Sequence, residues 1–344
     1  MFQPRYTITN RLLEHIKRIN TLVHELNNRR FSSLVLAAFE KTARTLSTYA
    51  STSIEGNPLP LTEVKKILKS RPAHIRDSER EILNYNQALQ ELNERITRQA
   101  TSLSLRLILH IHEQVTHELL PSFESGRLRQ KPVVVNDPKL RKAVFLPPNV
   151  EDVKPLMGNL IEFVQKNNKM IDPLILAGIF HKQMVIIHPF MDGNGRTTRL
   201  ATKVLLAQMG LNTFNLFSFE NYYNQNVTRY FQTVGEFGDY YELKDNIDFT
   251  VWLEYFTEGI IDELLRVQKL LPETGISPQT QLHAHDLKLL GYIKEKGFIT
   301  DKMYATLVTR AKATRTKDFK RLLSLGFIHR KGKGKATYYT LHGN

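Results

Sequence analysis

The chain has 344 residues, with 48 Lys+Arg against 34 Asp+Glu, a formal net charge of +14 and no cysteine. That length suits two or three domains, and 41% hydrophobic residues is enough to build cores. The lack of cysteine excludes disulfides, thiolate nucleophiles, thioredoxin-like redox chemistry and every Cys-ligated zinc or iron–sulfur site. It also fits a reducing compartment.

The basic excess is concentrated at one end. Residues 281–344 hold 14 Lys+Arg and 4 Asp+Glu, a net of +10, whereas residues 1–280 hold 34 and 30, a net of +4. Two units with different tasks follow from that split. The first residues lack the apolar stretch of a signal peptide, and the longest apolar runs, at 174–180 and 184–187, fall far short of the ~20 residues that cross a bilayer. A cytoplasmic location without membrane contact is expected.

Apolar residues at three- and four-residue spacing predict helices over 8–26, 33–52, 61–69, 77–97, 104–120, 150–165, 173–187, 196–209 and 249–270. One stretch departs from that pattern. Residues 131–146 carry two β-rich runs around Asn136-Asp137-Pro138 and are followed by Pro147-Pro148, which predicts a single β-hairpin. A lone hairpin is marginal and must lean on the helices or on a partner. Residues 271–282 are polar and rich in Pro and Gly, as in a linker. Beyond them, helices are predicted over 286–295, 300–309 and 314–325, then two strands around a Lys/Gly-rich turn within 326–340. Three helices and a basic ribbon resemble a winged helix-turn-helix.

The most chemically loaded stretch is His188-Pro189-Phe190-Met191-Asp192-Gly193-Asn194-Gly195-Arg196-Thr197-Thr198-Arg199. Pro189 disfavours helical geometry at the preceding residue, so the 173–187 helix should stop at His188. Gly193 and Gly195 permit a tight turn with open amides, and a new helix then starts near Arg196. Free N–H groups at the positive end of a helix make an anion cradle suited to phosphate. Arg196 and Arg199 share a helix face and can both reach that anion. Asp192 supplies a hard oxygen for Mg²⁺, and His188 can act as a general base near neutrality. Taken singly, a His-Pro helix stop and an Asp-Gly-Asn-Gly turn would be ordinary structure; their joint occurrence in twelve residues is the specific signal.

This stretch resembles, at every defining position, the His-Pro-Phe-x-(Asp/Glu)-Gly-Asn-Gly-Arg-x-x-Arg signature of Fic-domain proteins. These are helical domains that mostly transfer AMP from ATP to a hydroxyl of a target protein. The resemblance implies that His188 takes the proton from a target Ser, Thr or Tyr and that Asp192 binds Mg²⁺. It assigns Asn194 and the amides of Gly193 and Gly195 to the phosphates, and Arg196 and Arg199 to the outer phosphates. The hairpin at 131–146 corresponds to the Fic flap, which holds a target segment by main-chain pairing. Gly126-Arg127-Leu128-Arg129 looks like the Gly-x-x-Arg that leads into it. Tyr230 and Phe231 sit where the family often places aromatics near adenine, with ordinary core packing as the alternative. The phosphorylating Doc-type branch carries Lys at the position of Gly195, so this glycine favours AMP transfer.

A second stretch, Ser51-Thr52-Ser53-Ile54-Glu55-Gly56-Asn57-Pro58, ends the 33–52 helix. It puts the Glu55 carboxylate at the negative end of a helix dipole, while Arg199 is a cation near a helix start. Each would gain a partner if the two met; otherwise Glu55 is a solvated helix-end residue. The stretch resembles the Ser/Thr-x-x-x-Glu-Gly/Asn inhibitory helix of Fic proteins, here upstream of the core. That resemblance implies that Ser51 and Glu55 belong to an inhibitory helix in which Glu55 pairs with Arg199 and obstructs the ATP γ-phosphate.

His110, His112 and His117 form no metal motif. His112 and His117 would point about 140° apart on a helix. Trp252 reads as a core residue. In the tail, Thr314, Arg315, Lys317, Lys320 and Arg321 would lie on the recognition helix, and Arg330, Lys331, Lys333 and Lys335 on the wing, for contact with DNA or with protein.

The expected architecture is therefore mainly α: a Fic-fold helical domain with a β-hairpin flap, plus a small C-terminal winged helix-turn-helix domain. Its parts are an N-terminal helical region with the inhibitory helix (1–100), a catalytic core (101–270), a linker (271–282) and the winged helix (283–344). The expected activity is Mg²⁺- and ATP-dependent AMP transfer to a target protein docked at the flap, restrained by Glu55. Alternatives are a DNA-binding regulator whose Fic domain senses nucleotide or modifies itself, and an enzyme that mainly removes AMP. A homodimer is compatible with all three.

Overall fold

The long amphipathic segments of the sequence fold as helices in a computed structural model, which describes residues 2–29, 33–70, 72, 74–98, 101–136, 143–211, 213–271, 282–325 and 327–341. The N-terminal half contains α1 (Asn10–Asn27), α2 (Ser33–Ile54), α3 (Leu61–Lys69), α4 (Asp77–Arg98) and α5 (Leu105–Thr116). Two short strands follow, β1 (Val135–Asn136) and β2 (Ala143–Leu146), and then α6 (Val150–Asn167), α7 (Pro173–Ile187) and α8 (Asn194–Ala207). Next come α9 (Glu220–Gln225), α10 (Val227–Val234), β3 (Gly238–Asp239), α11 (Tyr240–Leu243) and α12 (Thr250–Leu270). The chain closes with α13 (Ala284–Lys296), α14 (Asp301–Leu307), α15 (Lys312–Ser324), β4 (Ile328–Lys331) and β5 (Tyr338–Leu341). The fold is mainly α.

Helix α7 is the centre of the body. Pro173 occupies its first turn, and the Asp172 carboxylate accepts the Leu174 amide at 2.8 Å, a cap suited to a helix start. Nearly every side chain from Leu174 to Ile187 is buried, as expected of a helix that is apolar on all sides. It packs on α6, α8, α10 and α12, and α5 lies against α8. Trp252 is fully buried with its indole N–H on the Gly178 carbonyl at 2.8 Å. Helix α2 runs beside α4 and α9 and reaches α8 with its C-terminal end. No helix among the described residues is long and apolar enough to cross a membrane.

Several boundaries differ from those expected. Helix α5 stops at Thr116 rather than 120, because Glu118 adopts a left-handed φ of 55° and Pro121 follows. Helix α8 begins at Asn194, two residues earlier than expected, because Gly193 already forms the cap. Helices α9 to α11 and strand β3 had no sequence signal. They are too short to show a period, and α9 and α10 instead contribute Tyr223 and Tyr230 to an aromatic cluster around Trp252. The hairpin is part of a three-stranded sheet in which β2 pairs antiparallel with β1 and parallel with β3. Its turn, 137–142, lies outside the described residues, as do 272–281 of the expected linker.

At the C-terminus, α13, α14 and α15 precede an antiparallel ribbon in which Ile328 faces Leu341 and Lys331 faces Tyr338. Buried residues there, including Leu289, Ile293, Phe319 and Leu322, are continuous with the main core, and α13 packs against α2.

Candidate active site

The loop from His188 to Gly193 joins α7 to α8. His188 terminates α7 in the left-handed conformation (φ 48°, ψ 62°), with its N–H on the Met184 carbonyl at 3.1 Å. Its carbonyl accepts from Arg129 Nε at 2.9 Å, and Pro189 O accepts the Arg129 amide at 2.9 Å. Nδ1 of His188 faces the Val185 carbonyl at 3.4 Å, which puts the ring proton there and leaves Nε2 as the free base. Burial lowers its pKa to about 4, so the imidazole is neutral at pH 7.

The loop is held from within. Asn194 Oδ1 accepts the Phe190 amide and its Nδ2 donates to the Phe190 carbonyl, both at 2.9 Å. Both polar ends of that side chain are spent on loop shape. Phe190 is buried and stacks on His112 at 3.8 Å between ring centroids. His112 in turn donates from Nε2 to the Asp192 carbonyl at 3.0 Å and accepts the Gly126 amide on Nδ1 at 2.9 Å. Burial lowers its pKa to about 4 as well, consistent with a neutral ring bridging two backbone segments.

Gly193 caps α8 in the left-handed region at φ 74°, and a Cβ there would come within 2.9 Å of Thr116 Cγ2. The first intrahelical bond runs from the Thr197 amide to the Gly193 carbonyl at 2.9 Å, so the amides ahead of it are the open donors of a helix start. The Glu55 carboxylate lies against that helix start. A Cβ on Gly195 would collide with Glu55 Oε1 and sit 2.9 Å from both Glu55 Cδ and Arg199 Nη1. Glu55 thus leaves the negative end of α2 for the positive end of α8.

Arg199 is fully buried. It donates from Nε to Ser51 Oγ at 2.8 Å, and from Nη2 to the Ser51 carbonyl at 2.9 Å and to Glu55 Oε1 at 2.7 Å. Burial alone would lower its pKa, but the Glu55 carboxylate beside it holds it above the usual value. Its Nη1 is buried without a partner among the described residues. Arg196 turns elsewhere, to Glu81 Oε1 at 2.7 Å and Asp192 Oδ2 at 2.9 Å. The two arginines expected to share an anion are therefore held by two separate sets of carboxylates.

Glu81 had no sequence signal, being one acid on a polar helix face. Its Oε2 accepts from Asn57 Nδ2 at 2.6 Å, so with Arg196 on its other oxygen it ties the segment after Glu55 to the start of α8. Burial raises its pKa, and Arg196 opposes the shift. Tyr230 is 1% exposed, its hydroxyl 3.0 Å from His181 Nε2 and its ring stacked on Tyr223 at 4.8 Å. Here it is a member of the aromatic core.

The loop fits a nucleotide and a divalent ion on its donor set. Arg199 Nη1 is an orphaned cation donor beside the open amides of α8. The Asp192 side chain is 59% exposed, and Mg²⁺ usually takes one or two carboxylates plus phosphates and water. The one cluster of metal-ligating side chains among the described residues, His285 with Asp286 and Asp318, lies in the C-terminal helices. There Arg321 pairs with Asp286, and Arg310 with Asp318 at 3.0 Å, so the acids are already neutralised. Of the basic residues expected to face DNA, Arg315 is also engaged, on Asp301 at 2.9 Å. Lys317, Lys320, Arg330, Lys331 and Lys333 are exposed, and the Lys335 side chain lies outside the described set.

Residues 102–206 match the Fic/DOC family. A protein adenylyltransferase Fic from Nematostella vectensis is 31% identical over 166 residues, which are 47% of this chain and 37% of that protein. One from Aedes aegypti is 30% identical over 211 residues, 59% of this chain and 41% of that protein. The chain thus spans about two-fifths of the length of these curated relatives. Among solved structures, a Fic family protein from Desulfovibrio desulfuricans G20 superposes with a TM-score of 0.67 at 19% identity, covering 100% of this chain and 99% of that one. A Fic-1 fragment from C. elegans gives 0.57 at 21% identity, covering 75% and 72%. At these identities the structural likeness speaks to the fold. What the chain is similar to, through residues 102–206, is the Fic/DOC family.

Proposed function

We propose that this chain is a protein adenylyltransferase held in check by Glu55. The observation that carries the proposal is the meeting, at the start of α8, of a neutral His188, open amides and the Glu55–Arg199 pair at 2.7 Å. His188 Nε2 would take the proton of a target Ser, Thr or Tyr hydroxyl as its oxygen attacks the α-phosphorus of ATP. A new phosphoester forms, the bond to the β-phosphate oxygen breaks, and pyrophosphate leaves. The amides of Gly193 to Arg196, with Arg196 and Arg199, would stabilise phosphate charge at a fixed position, the main source of catalysis in such transfers. A Mg²⁺ on Asp192 would neutralise phosphate charge when bound.

The Glu55 carboxylate is an anion resting where an anionic substrate group would have to sit. It also occupies Arg199, leaving Nη1 as the only idle donor of that guanidinium. Displacing it would free both the arginine and the helix start, which supports an inhibitory role for Ser51 and Glu55. The division into N-terminal helices, catalytic core and C-terminal winged helix is proposed on the same footing, with a target segment docking at the 131–146 flap. Mass spectrometry of Glu55→Gly protein incubated with ATP and cell lysate should find AMP on hydroxyls of another protein, and His188→Ala should abolish it. Modification that survives His188→Ala, or none with Glu55→Gly, would overturn the assignment.

A second proposal concerns the exposed Lys317, Lys320, Arg330 and Lys333, which leave a cationic surface on α15 and the β4–β5 ribbon. They support salt-sensitive contact with DNA.

A further inference from the structure

The sheet that carries the flap has a strand from outside the hairpin, and its anchorage leads back to the catalytic helix. Lys182 lies on α7, the helix that ends at His188, and is only 3% exposed. A buried ammonium is costly unless its protons are all met. Lys182 Nζ donates to the carbonyls of Thr233 at 3.1 Å and of Val234 and Gly235 at 3.4 Å, and pairs with Glu236 Oε1 at 2.7 Å. These carbonyls close the C-terminus of α10, where partial negative charge gathers.

The chain then runs directly into β3, whose Gly238 and Asp239 pair with Phe145 and Leu146 of β2. Past β3, the Asp239 carboxylate caps Tyr241 N–H at 2.7 Å. The Tyr241 hydroxyl accepts the Asn149 amide at 2.9 Å and donates to Asp152. The base of the flap is thus gripped at the strand and just beyond it. On its other side Arg129 bonds both the His188 carbonyl and the Pro148 carbonyl. A two-stranded ribbon as short as β1–β2 does not hold itself in place.

We propose that residues 233–241 are a strut that sets the flap against His188, and that Lys182 is the positioning residue that anchors it. Its effect is on the acceptor protein and not on the nucleotide: a strut that slips lets the docked hydroxyl wander from His188 Nε2 while the loop of 188–199 stays intact. This rests on the proposed AMP transfer for its kinetic consequence, whereas the mechanical link does not.

Hydrogen exchange on the full chain tests the link alone. Lys182→Met should speed exchange of the Val144–Leu146 amides about tenfold, and Lys182→Arg should restore most of the protection. Tyr241→Phe, at a partly exposed position, should act in the same direction without endangering the fold. The kinetic arm, in the Glu55→Gly background, uses the lysate protein that Glu55→Gly labels most strongly. Lys182→Met should raise KM for that acceptor about tenfold, with kcat and KM for ATP within about twofold. Unchanged exchange in both Lys182→Met and Tyr241→Phe would overturn the strut. Loss confined to ATP affinity or kcat would overturn the positioning role. If no acceptor is labelled, the proposed activity fails, and the exchange result still decides the strut.

Discussion

His188 is held in a conformation that a residue with a Cβ adopts at a cost of roughly 1–2 kcal/mol. Three contacts offset this: its N–H on Met184 O, its carbonyl on Arg129 and the fixed turn of Pro189. Burial of the ring lowers its pKa to about 4. Titration of the ring followed by NMR should show His188 neutral at pH 6; a midpoint near the ordinary 6.5 would contradict the buried geometry. Between pH 6.5 and 4 the unfolded chain binds protons that folded His188 and His112 refuse, so their contribution is complete above 6.5 and lost as pH falls toward 4. Glu263, raised to about 7 by burial, runs the opposite way and adds stability as pH drops through 7.

The start of α8 is where local structure decides chemistry. Gly193 combines a left-handed φ of 74° with Thr116 packed against its α-carbon, so Gly193→Ala should cost about 1–3 kcal/mol and lower the urea midpoint. An unchanged midpoint would mean that the turn can relax. This turn was legible in the sequence, because Pro189 and the two glycines are local signals that act on the residues beside them. The long helices were legible for a related reason: their period repeats over several turns. The partners of Arg196 were not legible. Glu81 lies on a helix remote in sequence, and no spacing connects it with residue 196. Strand β3 is two residues long and takes its form wholly from β2, so no pattern could announce it. Tyr230 was ambiguous for a different reason, since an aromatic on a helix satisfies a core or a binding face equally well; its hydroxyl on His181 shows where it lies here.

At the scale of the whole molecule, the net charge of +14 belongs mostly to an appendage whose ion pairs consume part of it. Arg310, Arg315 and Arg321 stitch α13, α14 and α15 together through Asp318, Asp301 and Asp286. The cations facing outward are fewer than the sequence suggests. Reversing Lys317, Lys320, Arg330 and Lys333 to glutamate in the full chain should abolish a duplex-DNA shift seen at low salt, and raising salt should weaken it in the unaltered protein. A shift insensitive to both would remove DNA as the ligand of this surface. Because α13 packs on α2, the helix that ends one residue before Glu55, the appendage also touches the element on which the proposed brake depends.

The Glu55 brake sets the rate of transfer, and that rate can be measured. Initial rates of AMP incorporation from ATP labelled at the α-phosphate, measured for the unaltered protein and for Glu55→Gly at equal concentration, report whether the carboxylate at α8 restrains transfer. Release of Arg199 and of the helix start should raise the rate at least about tenfold in Glu55→Gly, with His188→Ala returning it to background. Equal rates in the two proteins would mean that Glu55 does not restrain transfer.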